Sequence, residues 1–167
     1  IDDKNETTIN FSFLGASHEF AHQWWGMQAI PADVAGAKMI TESMAEYVSL
    51  KVFEKQYGKI KSLQLLNKSL NTYLNKHKEA KETELPLILN TGNSQSHVAY
   101  QKGMLAFNAL SHYIGEEALN RALKHYMQKV RLQDWEIESI ITTFSEYFNR
   151  EDELWLFGSR TDLSQKG

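Results

Sequence analysis

Residues 11–26 read Phe11-Ser12-Phe13-Leu14-Gly15-Ala16-Ser17-His18-Glu19-Phe20-Ala21-His22-Gln23-Trp24-Trp25-Gly26. Apolar residues recur here at helical intervals, which predicts a helix over residues 11–27. The same periodicity continues beyond it. The Ile30-Pro31-Ala32-Asp33 turn should lead to a second helix over 37–57, ending near Gly58. A third is expected over 60–77, with Leu63, Leu66, Leu70, Tyr73 and Leu74 as its inward face. Residues 78–95 read as a long loop around Pro86, with a short extended run at Leu87-Ile88-Leu89. A fourth helix over 97–114 should stop at Gly115, and a fifth over 116–131 should turn Ala118, Leu119, Ala122, Leu123 and Tyr126 inward. Asp134 can cap a sixth over 135–148, followed by a tail with an apolar Leu154-Trp155-Leu156-Phe157 run. The expected class is all-α: a helical unit over 1–150 and a C-terminal tail over 151–167.

Composition narrows the chemistry. With 167 residues, 42% of them apolar and 23% charged, the chain can build one ordinary core. Its formal charge of −3 is spread over mixed residues, without the clustered basic face that nucleic acid requires. No run approaches the roughly 20 apolar residues of a membrane span. Cysteine is absent, so a metal ion must be held by imidazoles and carboxylates. The chain opens at Ile1 and closes on Ser164-Gln165-Lys166-Gly167; processing, disordered ends and a piece cut from a longer protein all fit this, and the last is the expectation favoured.

His18 and His22 stand four residues apart, about 40° around a helix axis and about 6 Å along it, so both imidazoles can reach one ion. Glu19 is turned about 100° from His18, where a base can take a proton from a water beside that ion. His-Glu-x-x-His also arises by chance in unrelated chains. A catalytic zinc needs a third protein ligand, and the first carboxylate of the second helix is Glu42. Taken alone, Glu42 also suits a solvated glutamate at a helix start. Glu46 lies one turn further along the same face, placed either to hydrogen-bond a ligand imidazole or to face water.

The run from His18 to Gly26 resembles the His-Glu-x-x-His helix of the gluzincin zinc aminopeptidases, the family of aminopeptidase N and leukotriene hydrolase. Thr41-Glu42-Ser43-Met44-Ala45-Glu46-Tyr47 resembles that family's Asn-Glu-Gly-Phe-Ala-x-Tyr segment, which implies Glu42 as third ligand to one zinc ion. Tyr100-Gln101-Lys102-Gly103 resembles its Tyr-Glu-Lys-Gly segment, implying that Tyr100 hydrogen-bonds the developing oxyanion. By its pattern alone, Tyr100 is a half-buried packing residue. The Trp-Trp-Gly form and residues 36–43 look nearest to a bacterial branch often fused to membrane-transporter segments. The resemblance therefore allows for membrane segments and a membrane-associated location in the full-length protein, while the compartment of this chain stays open.

Three departures stand out. Nineteen residues, 23–41, separate His22 from Glu42, against the family's usual eighteen; Thr41 and Ser43 replace Asn and Gly; and Pro31–Gly36 replaces a Trp- and Asp-bearing run. The family's Gly-x-Met-Glu-Asn amine clamp, carried by a β-rich subdomain upstream, does not occur in this sequence. The resemblance implies peptide substrates and the helical, zinc-bearing part of a catalytic domain whose β-rich remainder lies elsewhere. The alternatives are a non-catalytic helical module stabilised by zinc and a zinc endopeptidase. Lys102, His77, His112 and His125 read as structural or surface residues, and His97 as a loop residue outside the ligand set.

Overall fold

The computed structural model describes residues 9–90 and 95–130, and every regular element among them is helical. Five α-helices follow in order: α1 (Phe11–Ala21), α2 (Met44–Tyr57), α3 (Lys59–Glu79), α4 (Gly103–Ile114) and α5 (Glu116–Val130). Two π-helical turns, Met39–Ser43 and Val98–Lys102, run directly into α2 and α4. The all-α class expected from periodicity is the class found. The expected sixth helix and the apolar tail lie outside the described residues.

Helix α2 is the axis of the fold. Met44, Ala45, Tyr47, Leu50 and Phe53 are all at most 2% exposed, and α1, α3 and α4 pack around it. Met44 and Tyr47 join a cluster with Trp25, Ile40, Phe107, Leu119 and Tyr126. Leu50 and Phe53 face a second cluster with Leu65 and Met104, against which Phe13 and Leu14 of α1 pack. Asn10 fixes the start of α1: its Oδ1 accepts from the Phe13 N–H at 3.0 Å, and its Nδ2 donates to Tyr57 Oη at 3.1 Å.

Three expectations change. Helix α1 stops at Ala21, six residues short of the expected end, because the chain folds back over Trp24–Ala29. The Gly26 N–H donates to Ala29 O at 3.0 Å, and Gly26 turns there with φ 118°, a conformation that side-chain-bearing residues avoid. On α3 the burial keeps the helical period but falls on a different face from the leucines. Ser62, Leu65 and Ser69 are buried, Leu66 and Tyr73 are half-buried, and Leu63, Leu70 and Leu74 are exposed. Small serines let α3 come close to its neighbours: Ser69 Oγ lies 3.7 Å from Met104 Sδ, and Ser62 Oγ donates to Glu54 Oε2 at 3.4 Å. Leu87–Leu89 is a 3₁₀ turn, closed by the Leu89 N–H on Pro86 O at 2.8 Å, and not an extended run.

The two π turns pack against each other. Ser43 Oγ donates to Ala99 O at 2.6 Å across the contact. Gly103 leaves the space that Ser43 fills, since a Cβ there would overlap Ser43 Oγ and Cβ. Gly103→Ala is therefore expected to destabilise the chain by about 1–3 kcal/mol through overpacking. Urea denaturation should show a smaller loss when the same change is made in a Ser43→Gly background, because the two positions share one space.

Candidate metal centre

The chemistry of α1 follows from where it ends. His22 is the C-cap residue and keeps helical dihedrals (φ −61°, ψ −16°), so its four-residue spacing from His18 survives. The fold-back at Gly26 then brings the Trp25 carbonyl to 2.9 Å from His22 Nδ1. A carbonyl can only accept, so Nδ1 carries the hydrogen and the lone pair is left on Nε2. On His18, Nδ1 lies 3.2 Å from Glu46 Oε1, an ion-pair contact too bent to count as a full hydrogen bond. Both Nε2 atoms then face one point.

Glu42 reaches that point from the π turn ahead of α2. The Nε2 atoms of His18 and His22 are 3.1 Å apart, and Glu42 Oε2 is 3.4 Å from the first and 3.6 Å from the second. A tetrahedral zinc with bonds of about 2.0–2.1 Å sets its ligand atoms about 3.3 Å apart. Two imidazoles and a carboxylate are also ligands suited to zinc. The residues fit the ion. Glu42 divides its oxygens: Oε2 faces the imidazoles, while Oε1 accepts from Lys38 Nζ at 3.3 Å.

The charges complement a cation. Burial alone would lower the His18 pKa, but the neighbouring Glu42 and Glu46 carboxylates outweigh it and hold the imidazole up to about 9. The His18 hydrogen bond holds Glu42 down at about 2 against the opposing effect of burial, with Tyr100 and Lys38 adding to the drop. Burial, then the hydrogen bond to Glu42, pushes the Tyr100 phenol well above its ordinary value, so it stays a donor. Its ring stacks on His18 at 5.7 Å and 16°.

All six expected site residues meet at one cavity of about 580 Å³ between α1, α2, α3 and the second π turn. His18, His22 and Glu42 bring their donor atoms together, Glu46 backs His18, and Glu19 and Tyr100 line the cavity wall. Leu14, Leu65 and Met104 give the cavity an apolar flank. Sequence reasoning missed Lys38, whose i,i+4 spacing to Glu42 was a usable signal. It missed the Trp25 carbonyl, which no side-chain pattern announces. Trp25 itself is buried against Tyr126, whereas Trp24 is 43% exposed beside Phe20.

Comparison with known proteins identifies the class. The Peptidase family M1 domain matches residues 6–158, and the chain belongs to that family. Among solved structures, it is similar to the M1 zinc metallopeptidase of Deinococcus radiodurans, with TM-score 0.67 and 23% identity over 86% of this chain and 32% of that one. A mutant of that enzyme bound to a Tyr-Ser-Ala substrate gives TM-score 0.69 and 21% identity over 89% of this chain and 33% of that one. The chain thus spans about a third of the length of the structures it matches. No curated protein sequence matches it. No helix among the described residues is long and apolar enough to cross a membrane.

Proposed function

We propose that this chain is the zinc-bearing helical part of an M1 aminopeptidase, with His18, His22 and Glu42 as ligands. One observation carries the reading: three donor atoms 3.1–3.6 Å apart, delivered by the His-Glu-x-x-His helix and the π turn before α2. A zinc ion held there supplies a Lewis acid and lowers the pKa of water to about 7. Glu19 takes the proton from the attacking water and hands it to the leaving amine. Tyr100, kept protonated, donates to the oxygen that gains charge. Trp25 O and Glu46 orient the ligand rings, and Lys38 holds the outer oxygen of Glu42.

The remainder of the catalytic domain supplies the second wall of the cleft and the clamp for the substrate's free α-amine. A short peptide, of the kind held by the D. radiodurans relative, suits the cavity's size. The full-length protein is expected to hydrolyse a free-amine dipeptide or tripeptide and to spare its N-acetylated counterpart. Equal hydrolysis of both would replace the aminopeptidase reading with an endopeptidase one, and no zinc-dependent hydrolysis of either would remove the peptidase reading.

Glu46 gives a finer test. Glu46→Ala removes the partner of His18 Nδ1 and is expected to weaken zinc binding roughly 10–100-fold. Glu46→Gln keeps an acceptor and should lose less. Chelator competition measures both, and unchanged affinity in the alanine variant would leave Glu46 without an orienting role.

A further inference from the structure

A second group of ligand-type side chains lies outside this centre and shares no residue with it. His77 comes from the last turn of α3, Glu84 from the loop that follows, and His97 from the turn ahead of Val98–Lys102. One donor atom from each falls within 4.8 Å of the other two. His77 Nδ1 is 2.8 Å from Glu84 Oε2, and His97 Nε2 is 3.8 Å from the same oxygen. The geometry points to a second metal site, in which His77, Glu84 and His97 bind a divalent transition ion such as zinc.

The histidine that carries the inference is His97. Its side chain is only 6% exposed, and its Nε2 has no hydrogen-bond partner although it is turned toward Glu84. A buried imidazole nitrogen without a partner costs about 1–3 kcal/mol, and a bound ion would satisfy it. Glu84 is prepared in the same way as Glu42. Its Oε1 accepts from Lys102 Nζ at 2.6 Å and from Tyr73 Oη at 3.0 Å, while Oε2 is turned to the two histidines. Held carboxylates of this kind orient metal ligands. Tyr73 also packs near both imidazoles, with ring centroids 5.8 Å from His77 and 6.0 Å from His97.

The two distances to Glu84 bracket what a small ion needs, and the two imidazoles offer donor atoms within 4.8 Å of each other. Donors around zinc sit about 3.3 Å apart, so the 2.8 Å pair must open and the 3.8 Å pair close, each by about 0.5 Å. His77 ends a helix with its side chain half exposed, and it has the freedom to make that move. Lys102 offsets the charge of Glu84, so attraction for a dication is weaker here than at the first centre. Two imidazoles against one compensated carboxylate select zinc, nickel or copper over magnesium or calcium. The ion would clip the end of α3 and the following loop to the turn that leads to Tyr100.

The test is zinc binding by the full chain, read by equilibrium dialysis and metal analysis, and it does not depend on peptidase activity. The starting protein is expected to hold about two zinc ions per chain at saturation, and His77→Ala about one. In a His22→Ala background, which disables the first centre, about one ion should remain and should be lost on adding His77→Ala. Glu84→Gln should weaken the same ion. His77 is exposed enough for its replacement to leave the fold intact, which circular dichroism checks. A folded His22→Ala chain that binds no zinc overturns the proposal, as does a second ion indifferent to His77→Ala. Either result would leave the cluster as a hydrogen-bond network around Glu84.

Discussion

Glu19→Gln in the full-length protein is expected to lower peptide hydrolysis on the order of 10²–10⁴-fold, the usual contribution of a positioned acid–base group, with zinc content unchanged. The geometry separates the two effects. Glu19 is exposed on the cavity wall, next to His18 in the chain, and is not one of the three residues whose donor atoms converge. Glutamine has nearly the same shape and cannot take a proton. Saturating substrate kinetics beside metal analysis distinguishes loss of the base from loss of the ion. Turnover retained in the variant would take the proton-transfer role away from Glu19.

His22→Ala should have the largest effect on the metal. It removes one of the three proposed ligands and also releases the Trp25 carbonyl that accepts from the ring. The loss of affinity should exceed the roughly 10–100-fold that follows from removing a ligand's hydrogen-bond partner. Chelator competition in a His77→Ala background isolates the first centre. Because His22 caps α1 instead of filling the core, the fold should survive. Affinity that falls no further than in Glu46→Ala would mean that His22 is not a ligand.

How much was legible in the sequence differs between the fold and the site. Helix type and order could be read because α5 carries strong apolar periodicity and α3 and α4 carry it to a lesser degree, and Gly115 does follow α4. The buried face of α3 was misread because leucines outrank serines on any hydrophobicity scale, while close packing against Glu54 and Met104 favours small Ser62 and Ser69. The end of α1 was misread because helical spacing carries on through Trp24 and Trp25 after the backbone has turned. Tertiary contacts override the pattern at that point, and the turn delivers a carbonyl to His22.

Among the candidate site residues, spacing picks out His18, Glu19 and His22, while Glu42 and Tyr100 rest on the family resemblance; two features of their placement could be read from neither. Glu42 and Tyr100 both sit on π turns, which are indistinguishable from α-helix in a sequence. A π turn takes in one residue more than an α turn, and the first of them lies in the stretch leading to Glu42, where the spacing exceeds the family's usual one by one residue. The change from Gly to Ser43 also gains a physical reading. Ser43 fills the space beside Gly103 and bonds Ala99 O, so it joins the turn carrying Glu42 to the turn carrying Tyr100.

The most direct test of the metal centre is a crystal structure of the zinc-loaded chain, with anomalous difference maps measured on either side of the zinc edge. A strong peak is expected about 2.0–2.2 Å from His18 Nε2, His22 Nε2 and a Glu42 oxygen, with Glu19 and Tyr100 flanking it. A zinc-loaded crystal with no peak between those three side chains would contradict the ligand assignment.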